Sequence, residues 1–288
     1  MKMQNVKSKM TNNKSKGSQG RPGTVSNILW HFPGGPRWNE TEKRQEDRRK
    51  PSMDAYNNLC SILGKNKNQT KELRLGGYKE IVRSTSELIH LSDKKVNVLN
   101  PGKIEIESNP ICCLAEIPII HLSYMEPRYN KFAIGFYRKS VINKFNPVFY
   151  TFESSFICGA IRSLHKNSNS LLSFPPHFQN KYGTPSTNND ELNALDSQIG
   201  SINKQVKILL SFIKTIEEKE LENIYCEREW RSINNFIFEF DDVAMIIFPK
   251  KVADHKASFF DKFIDEEIDR LNIPRGIPIV SWEDLIEH

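Results

Sequence analysis

From Lys103 to Pro249 the sequence carries a succession of apolar runs too short for anything but strands. They are KIEIES, ICCLAEIPI, KFAIGFY, NPVFYTF, FIFEF and AMIIFP. The first alternates with period two, as a half-buried strand requires, and the others are continuous enough to be buried on both faces. Pro110 and Pro118 bracket ICCLAEIPI and set its ends. Helical patterns fall between these runs, but not in the strict alternation that builds parallel βαβ units. The expected fold is therefore α+β: a single domain over residues 25–288 with a mixed, largely antiparallel central sheet. At 288 residues the chain is long enough to bury a sizeable core.

The N-terminal part adds a first strand and a helix. Residues 25–32 end on Trp30-His31-Phe32 and run straight into Pro33-Gly34-Gly35-Pro36. After Pro51, the stretch SMDAYNNLCSILG places Tyr56, Leu59, Ile62 and Leu63 on one helical face, with Ser52 or Asp54 as cap and Gly64 as terminator. KILLSFIKTI fits helix or strand, and SWEDLIEH fits a short amphipathic helix. Residues 166–205, rich in Asn, Ser, Pro and Gln, read as a polar surface insertion.

Charge is unevenly placed. Residues 1–50 hold 12 Lys/Arg against 4 Asp/Glu, while the whole chain has a net charge of only +6. The basic character belongs to one end, and residues 1–24 hold almost nothing to bury, so a disordered basic tail is expected. Such a tail is suited to nucleic acid or an acidic partner, and equally to keeping the chain in solution. No apolar run reaches the roughly 18–20 residues that span a bilayer, and the N-terminus has no secretory pattern, so the expectation is a cytoplasmic protein without membrane contact. The five cysteines, Cys60, Cys112, Cys113, Cys158 and Cys226, form no CxxC pair and are expected as reduced core residues rather than metal ligands.

Three clusters carry candidate chemistry. His31 with Gly34 and Gly35 puts an imidazole beside a loop that a backbone or ligand can approach closely, though a histidine ending a buried strand explains the same residues. CEREWR puts Glu227, Glu229 and Arg231 on one strand face. Two carboxylates so close repel, which predicts a raised pKa for at least one and suits acid–base work; a strand edge with Trp230 in the core and ion pairs outside explains the pattern as well. In YNKFAIGFYRKS, Gly135 sits inside a strand, a weakness unless something packs tightly there, and Tyr137 follows at the strand end.

Taken in order, ILWHFPGGPRWNE, AYNNLCSILGKN, LRLGGYKEIV, ICCLAEIPI, KFAIGFYRKSVINKFNPVFY and EREWR resemble the AbiGi family of abortive phage resistance proteins. The chain departs from the family pattern at Pro33 and at Glu116. The resemblance implies a bacterial defence protein acting as antitoxin to a nucleotidyltransferase-like toxin. A looser likeness is to ADP-ribosyltransferase folds, in the order His31, then Tyr129 or Tyr137, then Glu227 or Glu229. That likeness implies an NAD-consuming enzyme. His31 would hold the ribose and a tyrosine would stack on the nicotinamide. A glutamate, Glu229 or Glu227, would be catalytic. No metal is implied by either.

Overall fold

The computed structural model describes residues 26–286 except 43, 47, 65–68, 77, 93–94, 100, 173–188 and 218–226. The expected basic tail, the middle of the expected insertion and Cys226 lie outside the described residues.

The strands in chain order are β1 (Ile28–His31), β2 (Trp38–Asn39), β3 (Arg44–Gln45), β4 (Lys71–Leu73), β5 (Lys79–Ser84), β6 (Glu87–Ser92), β7 (Lys95–Leu99), β8 (Ile104–Pro110), β9 (Cys112–Ala115), β10 (Ala133–Tyr137), β11 (Asn146–Pro147), β12 (Phe149–Phe152), β13 (Ile213–Ile216), β14 (Glu229–Ser232), β15 (Phe236–Phe238), β16 (Val243–Phe248) and β17 (Ile279–Ser281). Seven of them form one sheet in the order β11-β14-β9-β1-β10-β16-β17. Every neighbouring pair is antiparallel except the parallel edge β16–β17. The fold is α+β, as the strand-length runs predicted.

Each face of the sheet is sealed by different elements. On one face Leu29, Leu114, Ile134, Phe136, Trp230 and Phe248 pack against helix α1 (Ser52–Ile62) and helix Phe259–Glu266, through Ala55, Tyr56, Leu59, Phe259 and Phe263. On the other, Trp30, Ala115, Ala133 and Ile247 meet Leu122 and Met125 of the 3-10 helix Ile119–Met125, with Trp282 of helix Trp282–Ile286. Removing each of the larger aliphatic and phenylalanine side chains from water contributes about 1.5–3 kcal/mol. A smaller core joins Val82 and Ile106, on the β5–β8 pair, to Val206 and Leu210.

Helix α1 has the predicted apolar face, and Gly64 follows it at φ 97°. Its start differs. Pro51 occupies the cap position without a side-chain cap, and Ser52 gives both its amide and its hydroxyl to Asp254, at 2.8 and 2.5 Å. The Asn/Ser-rich stretch expected as a polar insertion is largely helical where it is described. Helices α2 (Phe156–Leu172) and α3 (Asn189–Leu210) cover most of it, and KILLSFIKTI divides between the end of α3 and β13. Composition reads such segments as loop because Asn and Ser are weak helix formers, and tertiary packing overrides that preference. A further short helix spans Arg138–Val141.

Gly135 has its physical reason. A Cβ there would fall 2.7 Å from Ile28 Cγ2 and 2.8 Å from Trp30 Cζ3, so the Trp30 ring occupies the space a side chain would need. The indole N–H of Trp30 in turn donates to the Ile117 carbonyl at 3.0 Å.

Candidate functional site

Strand β14 opens at Glu229, and Arg228 just before it takes a left-handed backbone (φ 42°). Glu227 and Glu229 are thereby delivered to one place, where both reach the ammonium of Lys214 on β13, at 3.4 and 3.0 Å. Arg231 grips Glu229 with two parallel bonds, Nε to Oε1 at 2.9 Å and Nη2 to Oε2 at 3.0 Å. The same guanidinium pairs with Glu80 of β5 and donates to the Ser211 and Ile213 carbonyls. Glu227 also accepts from Arg128 and from the Tyr129 hydroxyl, each at 3.2 Å. Tyr78 donates to Glu80 at 3.1 Å, and Tyr150 accepts the Glu229 amide at 2.8 Å. Three carboxylates thus face three cations, and all but Arg128 are buried.

For Glu229 this network opposes the upward shift that carboxylate repulsion alone would give. Burial by itself raises the Glu229 pKa, but Arg231 and Lys214 outweigh it and hold the carboxylate well below its ordinary range. Lys214 answers in kind: burial opposes its charge, yet Glu227 and Glu229 keep its pKa well above the usual lysine value. Burial keeps the Tyr78 and Tyr129 phenols neutral, so they serve as donors. A carboxylate so held is a fixed anion in a packed floor, not a proton carrier poised near neutrality. The sequence-level alternative of ion pairs on a solvated strand edge is corrected as well, because Glu227, Glu229 and Arg231 are all buried.

Above this floor lies a cavity of about 500 Å3, within the range of small-molecule sites. Its walls include Trp30, His31, Phe32 and Gly35 from the β1 end, Trp38 of β2, Lys50 from the segment before α1, Asn58 of α1, Cys113 and Ala115 of β9, and Tyr129. Lys214, Glu227 and Glu229 reach it from below. Five of the sequence candidates therefore meet there: His31, Gly35, Tyr129, Glu227 and Glu229. Three do not. Gly34 is covered by the chain itself, since a Cβ would sit 2.5 Å from the Tyr129 carbonyl. Tyr137 ends β10 opposite Ile28, exposed, with the Lys139 ammonium 5.3 Å from its ring centre. Arg231 lies beneath the floor and binds protein groups alone.

His31 and Glu229 reach the cavity from different faces of the sheet. Trp30 pairs with Ala115, and Ala115 with Glu229, which places those three on one face; His31 pairs with Ile134 and shares the face of Leu29. Strands β1 and β9 pair only at Trp30↔Ala115. Beyond that pair, His31 Nδ1 donates to the Cys113 carbonyl at 3.1 Å, which fixes the proton on Nδ1 and leaves Nε2 an acceptor. Burial, with Lys50 nearby, pushes its pKa down to about 4, so the ring is neutral.

The residues that sequence reading missed are Lys214, Glu80 and Arg128 in the floor, and Trp38, Lys50 and Tyr78 around the cavity. Two of them left a trace: Lys214 follows the apolar Phe212-Ile213 and Glu80 precedes the apolar Ile81-Val82, positions where a charge must find a partner. Among the described residues no group of three His, Cys, Asp or Glu could hold a metal ion, and no helix is long and apolar enough to cross a membrane. Cys60, Cys112, Cys113 and Cys158 are free thiols.

Compared with known proteins, residues 79–273 match a family model described as "Putative abortive phage resistance protein AbiGi, antitoxin". The matched stretch contains every charged member of the floor, whereas His31, Trp38 and Lys50 precede it. No curated protein and no solved structure matches.

Proposed function

The chain belongs to the AbiGi family of abortive phage resistance proteins, and on that premise we propose that it is the antitoxin of a bacterial toxin–antitoxin pair, restraining a nucleotidyltransferase-like toxin by binding it in the cytoplasm. The observation that carries the reading is the family match over residues 79–273. The electrostatics support it: Glu227 and Glu229 are committed to Lys214, Arg128 and Arg231, an arrangement that suits a rigid scaffold better than a proton-transfer centre. The basic segment 1–24 is an added contact to the toxin or to nucleic acid.

Co-expression with a nucleotidyltransferase-like toxin from the same host is the test. Growth is expected to recover, and the two proteins to co-purify as a complex. Continued growth arrest with no complex would overturn the reading. Removal of residues 1–24 is expected to weaken the complex or its nucleic-acid contact, most visibly at low salt.

A second reading, an NAD-consuming effector, draws on His31, Tyr129, Glu227 and Glu229 lining one cavity. The grip of Arg231 on Glu229 counts against it. It requires nicotinamide release from NAD that Glu229→Gln abolishes while the fold is retained.

A further inference from the structure

The charges around the cavity do not cancel. Lys214 is paired with Glu227 and Glu229, Arg37 with Asp54 at 2.5 Å, and Arg74 with Glu72 at 2.8 Å. Lys50 differs. Its half-buried ammonium reaches the Pro33 carbonyl at 3.2 Å and, among the described residues, forms no ion pair. Asp54 lies near enough to favour its charge but forms no ion pair with it, and an incompletely solvated cation in no direct ion pair is costly unless an anion arrives to share its field. A second group is also left over. Trp38, on the same wall, has an indole N–H that is buried without a hydrogen-bond partner. Native structures rarely leave such donors unpaired, so each one calls for an explanation.

Part of the remaining wall is aromatic. Phe32 and Tyr129 lie 5.6 Å apart by ring centres, and Trp38 and Tyr78 lie 5.7 Å apart edge to face. Flat aromatic surfaces favour flat ligands. We propose that this cavity binds a small organic anion bearing a planar ring. Its anionic group neutralises Lys50, an acceptor atom takes the Trp38 N–H, and the ring lies against the Phe32–Tyr129 wall. The depressed pKa of Lys50, due first to burial and then to Arg37, agrees with a cation that gains from an incoming anion. The proposal does not depend on the antitoxin reading: most of this wall lies before residue 79, outside the matched stretch.

Calorimetric titration of the full chain with adenosine 5′-monophosphate, inorganic phosphate and adenosine separates anion from ring. The monophosphate is expected to bind saturably, at least tenfold more tightly than phosphate or adenosine. Lys50→Gln is expected to weaken it tenfold or more, and Trp38→Phe, which keeps a ring and removes the donor, about threefold or more. Thermal melts of both variants establish that they are folded. Absence of saturable monophosphate binding to the wild type overturns the proposal. So does affinity that Lys50→Gln leaves unchanged, which would place the contact elsewhere, such as the basic N-terminal segment. Phosphate binding as tightly as the monophosphate would remove the ring from the site.

Discussion

Arg231 and Glu229, two positions apart on β14, form a bidentate ion pair in which the arginine is wholly buried. Because the strand repeat is two, both side chains leave the same face, and the fork of the guanidinium fits the carboxylate plane. Glu80 takes a further N–H of the same guanidinium. Substituting Arg231→Gln leaves two buried carboxylates short of a cation, and a loss of about 3–5 kcal/mol is expected. Arg231→Lys should recover little of it, because an ammonium cannot span both oxygens. Urea unfolding midpoints, at constant slope, measure both.

Acid should destabilise the protein before its carboxylates begin to titrate. The folded-state pKa of His31 is depressed from 6.5 to about 4, so the unfolded chain takes up that proton first. Its contribution is complete above pH 6.5, declines as pH falls towards 4, and is then fully lost, about 3 kcal/mol in all. The charged residues lining the same cavity are Arg37, Lys50, Glu72, Arg74, Lys214, Glu227 and Glu229. His31→Gln is expected to flatten the stability profile between pH 6.5 and 4. Glu229, whose pKa is lowered, adds a separate loss that begins only below about pH 4.5 and persists in that variant.

Gly135→Ala forces a methyl group against Ile28 and Trp30 at contacts under 3 Å. A loss of about 1–3 kcal/mol is expected, with a blue or red shift in tryptophan emission as the Trp30 ring is displaced. Gly76→Ala, where a Cβ would meet nothing within 4 Å, is the control and should stay within about 0.5 kcal/mol of wild type. Equal melting temperatures for the two variants would contradict the packing argument.

Tyr150→Phe removes the oxygen that accepts the Glu229 amide at 2.8 Å and leaves that buried N–H unpaired. About 1–3 kcal/mol is expected to be lost. Hydrogen exchange of the Glu229 amide should accelerate more than that of amides in β10, on the far side of β1.

What could be read in the sequence was what neighbours in the chain decide. The apolar runs located β9, β10 and β16, the spacing of Tyr56, Leu59 and Leu63 located α1, and Gly135 announced a close contact. Glu229 was misjudged because its field is set by Lys214, 15 residues earlier, and, through Arg231, by Glu80, 151 residues before that arginine. The separation of His31 from Glu229 across the sheet depends on one register pair, Trp30↔Ala115, which no local pattern encodes. Tyr137 was placed correctly at a strand end, but which end opens onto the cavity is a property of the assembled sheet.

The strand order β11-β14-β9-β1-β10-β16-β17 has a temporal consequence during synthesis. The first strand emerges from the ribosome long before either neighbour: β9 ends at residue 115 and β10 at residue 137. Glu80 must likewise wait for Arg231. The nascent chain therefore carries unmated strand edges, and a Glu80 carboxylate without its arginine, until Arg231 has been translated.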